Sequence, residues 1–266
     1  MIFKYFDTSR EYARESLEQI ICFNKIWLSS FDDFNDPYEC DPTFTDELTK
    51  SYLKNLNKIM RSADPKRLSG SYRTLAENSR RTSPTKIRKR LTKRSAQNLS
   101  ESLKESALET FRKTGVACFS EDGRNSAMWA YYADSHRGIV LEFAKSLITG
   151  PVAYTLWHVN YSSERPKISL CKMSDALTSG GKLSNEIIAH FLFTKSLHWQ
   201  HERELRIISK HDPYQYIELD TLKLERIILG IRTSEADMLL IKSLVGNQPI
   251  EIVRARLSQL SFDIET

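Results

Sequence analysis

The chain has 266 residues, of which 40% are hydrophobic, 10% aromatic and 27% charged, with a formal net charge of +5. This describes an ordinary globular protein long enough to bury a substantial core. No apolar run approaches the ~18 residues of a membrane-spanning helix, and the opening MIFKYFD lacks the apolar core of a secretion signal, so a cytoplasmic protein is expected.

In chain order, Ile2 to Phe6 reads as a short strand, and a helix opens near Ser9 and runs to about Cys22. Lys25 to Ser29 reads as a second strand, and Asn35-Asp36-Pro37 marks a turn in the loop behind it. From Asp46 to Lys113 the composition changes. Residues 61–113 hold 15 Lys/Arg against 5 Asp/Glu, an excess of ten positive charges, so the rest of the chain carries a net charge of −5. Residues 46–113 are expected to form a basic helical insertion in a single α+β domain spanning 1–266, with a mobile loop near 62–83 and a long helix over 85–112.

Val116 to Ser120 returns to strand character, Ser126 to Asp134 is a short helix, and Gly138 to Phe143 is a strand. Strand is expected within Val152–Tyr161, and a buried helix over Ser184–Ser196. Strands follow at Arg203–Ser209, Tyr216–Leu219 and Glu225–Leu229; then Ser234 caps a helix to about Val245, before a last strand at Ile250–Val253. The elements lack regular βαβ alternation, which favours an α+β fold with a compact, mixed or mainly antiparallel sheet and flanking helices. Cys22, Cys40, Cys118 and Cys171 are scattered, with no C-x-x-C pair, and read as free thiols rather than zinc ligands.

The segment KSLHWQHERELRIIS, Lys195 to Ser209, is the most informative. If its second half is a strand, Glu202, Glu204 and Arg206 project from one face. Two carboxylates entering a sheet are costly unless a cation or ligand meets them. They form either a structural ion-pair cluster or the acidic end of an active site. His198 and His201 flank Trp199 without a third metal ligand, so no metal is expected.

Four ordered motifs frame that segment: Phe3-Lys-Tyr5, Phe34-Asn-Asp-Pro-Tyr-Glu39, Cys118-Phe-Ser120 followed by Met128-Trp129 and Tyr132, and Trp199-x-x-Glu-x-Glu-x-Arg206. Together they resemble the bacterial family called domain of unknown function 2971, over about Phe3 to Gly230 apart from the basic insertion. Phe3 stands where that family commonly has tyrosine. The family brings no activity with it.

The layout is more loosely similar to ADP-ribosyltransferases, whose late glutamate stabilises positive charge developing on a ribose as nicotinamide leaves NAD. By that resemblance Glu204 takes the charge-stabilising role and Glu202 orients or deprotonates an acceptor. Ser120 braces Glu204, and Lys4, Tyr5, Asn35, Asp36, Trp129, Tyr132, Trp199 and Arg206 shape the NAD pocket. Lys4 and Tyr5 stand where that superfamily usually has histidine or arginine. Such a transferase would suit a toxin or phage-defence effector.

Arg80, Arg81, Lys86, Arg88, Lys89, Arg90, Lys93 and Arg94 form a dense basic cluster able to contact the phosphates of a nucleic acid or another acidic target. Tyr72 and Phe111 are the only aromatics in residues 61–113, which gives no basis for base stacking. The first alternative to the transferase is therefore a non-catalytic nucleic-acid-binding module with a structural acidic strand. The second is a metal-dependent nuclease or phosphoesterase using Asp36, Glu39, Glu202 and Glu204.

Overall fold

The computed structural model describes residues 1–45, 101, 105, 108, 111–145, 154–169, 172, 187, 191–209 and 212–266. Most of the expected insertion, its loop near 62–83 and all eight residues of the basic cluster lie outside them. In chain order the named elements are β1 (Ile2–Phe6), α1 (Ala13–Phe23), β2 (Lys25–Leu28), β3 (Thr43–Thr45), β4 (Val116–Ser120) and α2 (Ser126–Tyr132). Next come β5 (Ile139–Lys145), β6 (Tyr154–His158), β7 (Asn160–Ser162), β8 (Lys167–Ser169), β9 (Thr194–Ser196) and β10 (Glu204–Ser209). The last are β11 (Gln215–Glu218), β12 (Leu222–Leu229), α3 (Glu235–Val245), β13 (Glu251–Arg254), β14 (Arg256–Leu257) and β15 (Ile264–Glu265). Short 3-10 turns cover Phe31–Asp33 and Leu197–Glu202.

The chain divides into two compact units, one of Met1–Asp33, Lys113–Tyr161 and Leu197–Thr266, the other of Phe34–Arg112 and Ser162–Ser196. The first is built on a seven-stranded sheet of order β13-β12-β5-β1-β4-β10-β6, in which only the β12–β13 pair is parallel. This is the expected α+β fold with a mainly antiparallel sheet. Alternation along the strands separates two faces. Ile2, Phe6, Ala117, Phe119, Leu205 and Ile207 join Leu17, Ile20 and Ile21 of α1 and Ile241 and Val245 of α3 in one core. On the other face, Trp129 and Ala133 pack with Val140, Ile228 and Ile264, flanked by Phe3 and Tyr5.

Local chemistry sets the helix ends. The Ser9 hydroxyl and amide both donate to Asp7 Oδ1 (2.6 and 2.9 Å), so Ser9 closes a turn instead of capping, and α1 begins at Ala13. It stops at Asn24, whose φ of 51° lets its N–H bond back to the last turn. Ser234 caps α3 as the sequence implies, accepting from the Asp237 amide at 3.0 Å.

The second unit contains the parallel pair β3–β8 and a stacked Phe111–Phe191 contact at 4.3 Å between centroids. Its Lys195 ammonium lies 3.3 Å from the Glu39 carboxylate, both side chains being almost fully buried. The helix expected over Ser184–Ser196 is corrected at its end: Thr194–Ser196 is strand, alternating half-buried, buried and half-buried around Lys195. Residues 184–190 lie outside the described residues except Ile187.

The corner between α2 and β5 requires glycine. A Cβ on Gly138 would fall 2.2 Å from the Phe6 carbonyl oxygen and 3.0 Å from the Ala133 backbone. Gly138→Ala is therefore expected to lower stability by about 1–3 kcal/mol through forced backbone displacement, read as a lower urea midpoint at unchanged slope.

Candidate functional site

The site grows from a gap in the sheet. On one side β1 pairs with β5 along its whole length, from Ile2↔Phe143 to Phe6↔Ile139. On the other it meets β4 at the single pair Phe3↔Ser120. The far end of β4 is taken by Ser29, which bridges to Val116 just beyond β2. Between those contacts the edge of β4 has no strand ladder, and a side chain satisfies it: Lys4 Nζ donates to the Cys118 carbonyl at 3.1 Å and lies 5.5 Å from the Phe119 ring centroid. Burial pushes the Lys4 amine below its ordinary pKa, against the opposing pull of Cys118 and Glu204.

Beside this junction is a cavity of about 730 Å³ within the first unit. Lys4, Tyr5 and Tyr132 line it, so three of the expected pocket residues meet there. Arg10, Tyr12, Trp27, Asp33 and Tyr216 also line it, and sequence reasoning assigned none of these a role. A signal was present for Trp27, an aromatic alternating with the apolar Ile26 and Leu28 on a strand. Its partner Tyr216 is brought opposite by the β2–β11 register, which no sequence pattern specifies.

Tyr132 connects the cavity to the acidic segment. Its hydroxyl donates to Glu202 Oε1 at 2.5 Å, and Glu202 is only 2% exposed. The backbone around Glu202 is fixed from two sides. Ser120 Oγ donates to the Glu202 carbonyl (2.6 Å) while accepting from the Asp122 amide, and Asn125, the cap of α2, donates to the His201 carbonyl (3.1 Å). The hydroxyl of Ser120 thus braces the turn before Glu204 instead of the Glu204 carboxylate. The Tyr5 hydroxyl donates to the Asp122 carbonyl at 2.8 Å.

Glu202 and Glu204 do not share a strand face. Glu202 ends a 3-10 turn, and Arg203 takes a left-handed φ of 45°, which breaks the alternation before β10 begins at Glu204. Glu204 and Arg206 do project together, opposite Ser120 and Cys118 of β4. Arg206 grips Glu204 with both arms, Nε to Oε1 at 2.8 Å and Nη2 to Oε2 at 3.0 Å, and the two side chains are 1% and 6% exposed. The neighbouring Cys118 thiol is pushed well up, first by burial and then by the Glu204 charge.

The remaining expected site residues are placed as follows. Trp129 is fully buried, donating its indole N–H to the Gly123 carbonyl at 3.0 Å and meeting Tyr5 edge-on at 5.7 Å, so it forms the core behind Tyr5 and offers no stacking surface. Trp199 is half-buried against Tyr131. Asn35 and Asp36 belong to the second unit, where Asp36 accepts from the Tyr38 amide with its side chain and from the Glu39 amide with its carbonyl, the turn expected before Pro37. Among the described residues no group of three or more His, Cys, Asp or Glu is arranged to hold a metal ion, and no helix is long and apolar enough to cross a membrane.

The family model described as "Protein of unknown function (DUF2971)" matches residues 128–207, from the start of the Met128-Trp129 motif to Ile207 in β10. It bears out the resemblance to that family over the Met128-Trp129 and Trp199–Arg206 motifs, and the description assigns no activity. Searches of curated proteins and of solved structures found no match.

Two outcomes follow from this geometry. Arg206→Met alone leaves the Glu204 carboxylate buried without its main partner and is expected to cost about 3–5 kcal/mol in chemical denaturation, most of it recovered in the double variant Glu204→Leu/Arg206→Met. Burial, reinforced by Asp122, raises the Tyr5 phenol far above its ordinary 10.0. The folded protein then keeps a proton that the unfolded chain releases, so this contribution is present below about pH 10 and is lost as pH rises further. Tyr5→Phe is expected to flatten the alkaline limb of the stability–pH curve above about pH 10, measured by urea unfolding at stepped pH.

Proposed function

We propose that this chain, a member of the DUF2971 family over residues 128–207, is a cytoplasmic transferase of ADP-ribosyltransferase type that takes NAD into the cavity beside β1. The observation that carries the reading is the junction of cavity and acid. Lys4, Tyr5 and Tyr132, expected from separate motifs, line one cavity, and the Tyr132 hydroxyl is held by the Glu202 carboxylate.

Glycosidic cleavage of NAD breaks the bond between the nicotinamide nitrogen and the anomeric carbon. Nicotinamide departs with the electron pair, and positive charge grows on the ribose. A fixed, desolvated carboxylate lowers that barrier. Glu202 suits this role because it is buried and reaches the cavity wall through Tyr132. Glu204, with both oxygens engaged by Arg206, suits a supporting role that fixes the start of β10. Lys4 supplies a cation on the cavity wall for the dinucleotide's phosphates. The cluster from Arg80 to Arg94 would hold an acidic target, a nucleic acid or an acidic protein surface.

The closure of Glu204 on Arg206 favours a second reading, a non-catalytic nucleic-acid-binding module in which the acidic strand is purely structural. Its mark would be salt-dependent nucleic-acid binding without turnover, abolished by reversing the charges of Arg88, Lys89 and Arg90.

One experiment separates the two. Nicotinamide release from NAD is expected from the purified chain. It should fall about 10²–10³-fold in Glu202→Gln, with an unchanged unfolding midpoint. No release by the parent chain, or equal release by Glu202→Gln, defeats the transferase reading.

A further inference from the structure

The part of the cavity built by β2 and β11 has a chemistry that the transferase reading does not use. Trp27 and Tyr216 face each other across the two strands as register partners, ring centroids 5.0 Å apart and planes at 65°. Tyr214 adds a third ring, 6.5 Å from Trp27 and tilted by 49°. Trp27, on the cavity wall, is 38% exposed, and Tyr214, beside it but outside the lining, is 57% exposed, so aromatic surface is open to solvent at that edge of the cavity. Tyr216 is steadied from behind by the Ser16 hydroxyl at 3.1 Å.

The charges point the same way. Two cations, Lys4 and Arg10, line the cavity against three carboxylates, Asp7, Glu15 and Asp33. Arg10 is already paired with Asp7 at 3.0 Å, and the Lys4 ammonium is turned to the Cys118 carbonyl. The lining therefore carries one net negative charge, and Asp33, whose Oδ2 accepts from the Ser30 amide, presents its other oxygen 3.4 Å from the Tyr214 hydroxyl.

We propose that Trp27, Tyr214 and Tyr216, with Asp33 and Glu15, form a cage for an organic cation bearing an alkylated ammonium head. Ring faces carry negative quadrupole potential and favour a weakly hydrated cation over a hard metal ion. The choice of a rounded head over a planar one follows from the ring angles. Walls meeting at 65° and 49° form a corner that a tetrahedral ammonium touches on more than one ring, whereas a planar guanidinium or base lies flat on one ring only. The two carboxylates supply charge without the three-ligand cluster a metal needs, and no such cluster is found among the described residues.

Calorimetric titration tests this with the intact chain, using choline against 3,3-dimethylbutan-1-ol, which has the same shape without the charge. Saturable choline binding is expected, about tenfold or more tighter than that of the neutral analogue. Trp27→Ala and Asp33→Asn should each weaken it, the former by about tenfold, while Trp157→Phe, at an exposed tryptophan that does not line the cavity, leaves it unchanged. A trimethyllysine peptide titrated in parallel distinguishes a peptide-borne head from a free one by which binds tighter. Equal affinity for choline and the neutral analogue, no saturable binding, or full retention in Trp27→Ala overturns the proposal. Binding is read without turnover, so failure of nicotinamide release leaves this inference standing, and failure here leaves the transferase reading standing.

Discussion

The first unit depends on how the edge of β4 is satisfied. A strand edge inside a protein presents backbone groups that must find partners. Here β1 supplies one pair at Ser120, Ser29 supplies another at Val116, and the Lys4 ammonium bonds the Cys118 carbonyl between them. A full β1–β4 ladder would have closed the sheet. Substituting one side-chain donor for part of that ladder gives the Cys118 carbonyl a partner beside the cavity. Lys4 bears a cost for this, expressed as its lowered proton affinity, which the Glu204 charge partly offsets.

Each compact unit encloses a buried ion pair, Glu204–Arg206 in the first and Glu39–Lys195 in the second. Buried pairs contribute little net stability but penalise any arrangement that separates them. In the first unit the pair fixes the beginning of β10 against β4, directly after the left-handed Arg203 and the 3-10 turn that holds Glu202. The two carboxylates, two positions apart in sequence, therefore have different surroundings: one is locked by a guanidinium and the other is hydrogen-bonded to a cavity-lining tyrosine.

Local signals were legible where a single segment determines its own structure. The strand character of Val116–Ser120, the serine cap before α3 and the Asp36 turn all rest on neighbouring residues, and all are present. The α+β class followed from the order of such segments. What could not be read depends on a backbone angle or a distant partner. Nothing in His201-Glu202-Arg203-Glu204 announces the positive φ at Arg203, so a continuous strand face was expected there. The strand at Thr194–Ser196 was hidden by the apolar run ahead of it, and Lys195 reads as an inward residue only once Glu39 is known to receive it.

The same distinction explains why the site was only half visible. Lys4, Tyr5 and Tyr132 belong to ordered sequence motifs, whereas Trp27 and Tyr216 acquire meaning only through the pairing of β2 with β11, some 190 residues apart in the chain. The pairing places two aromatic faces on one side of the cavity, while the β1–β4 junction places a cation on another. A cavity with an amine at one wall and an aromatic, acidic corner at another is unsuited to a uniformly anionic or apolar ligand. Any substrate assigned to this fold has to meet both walls, and that mixed lining constrains the assignment more tightly than the presence of two glutamates.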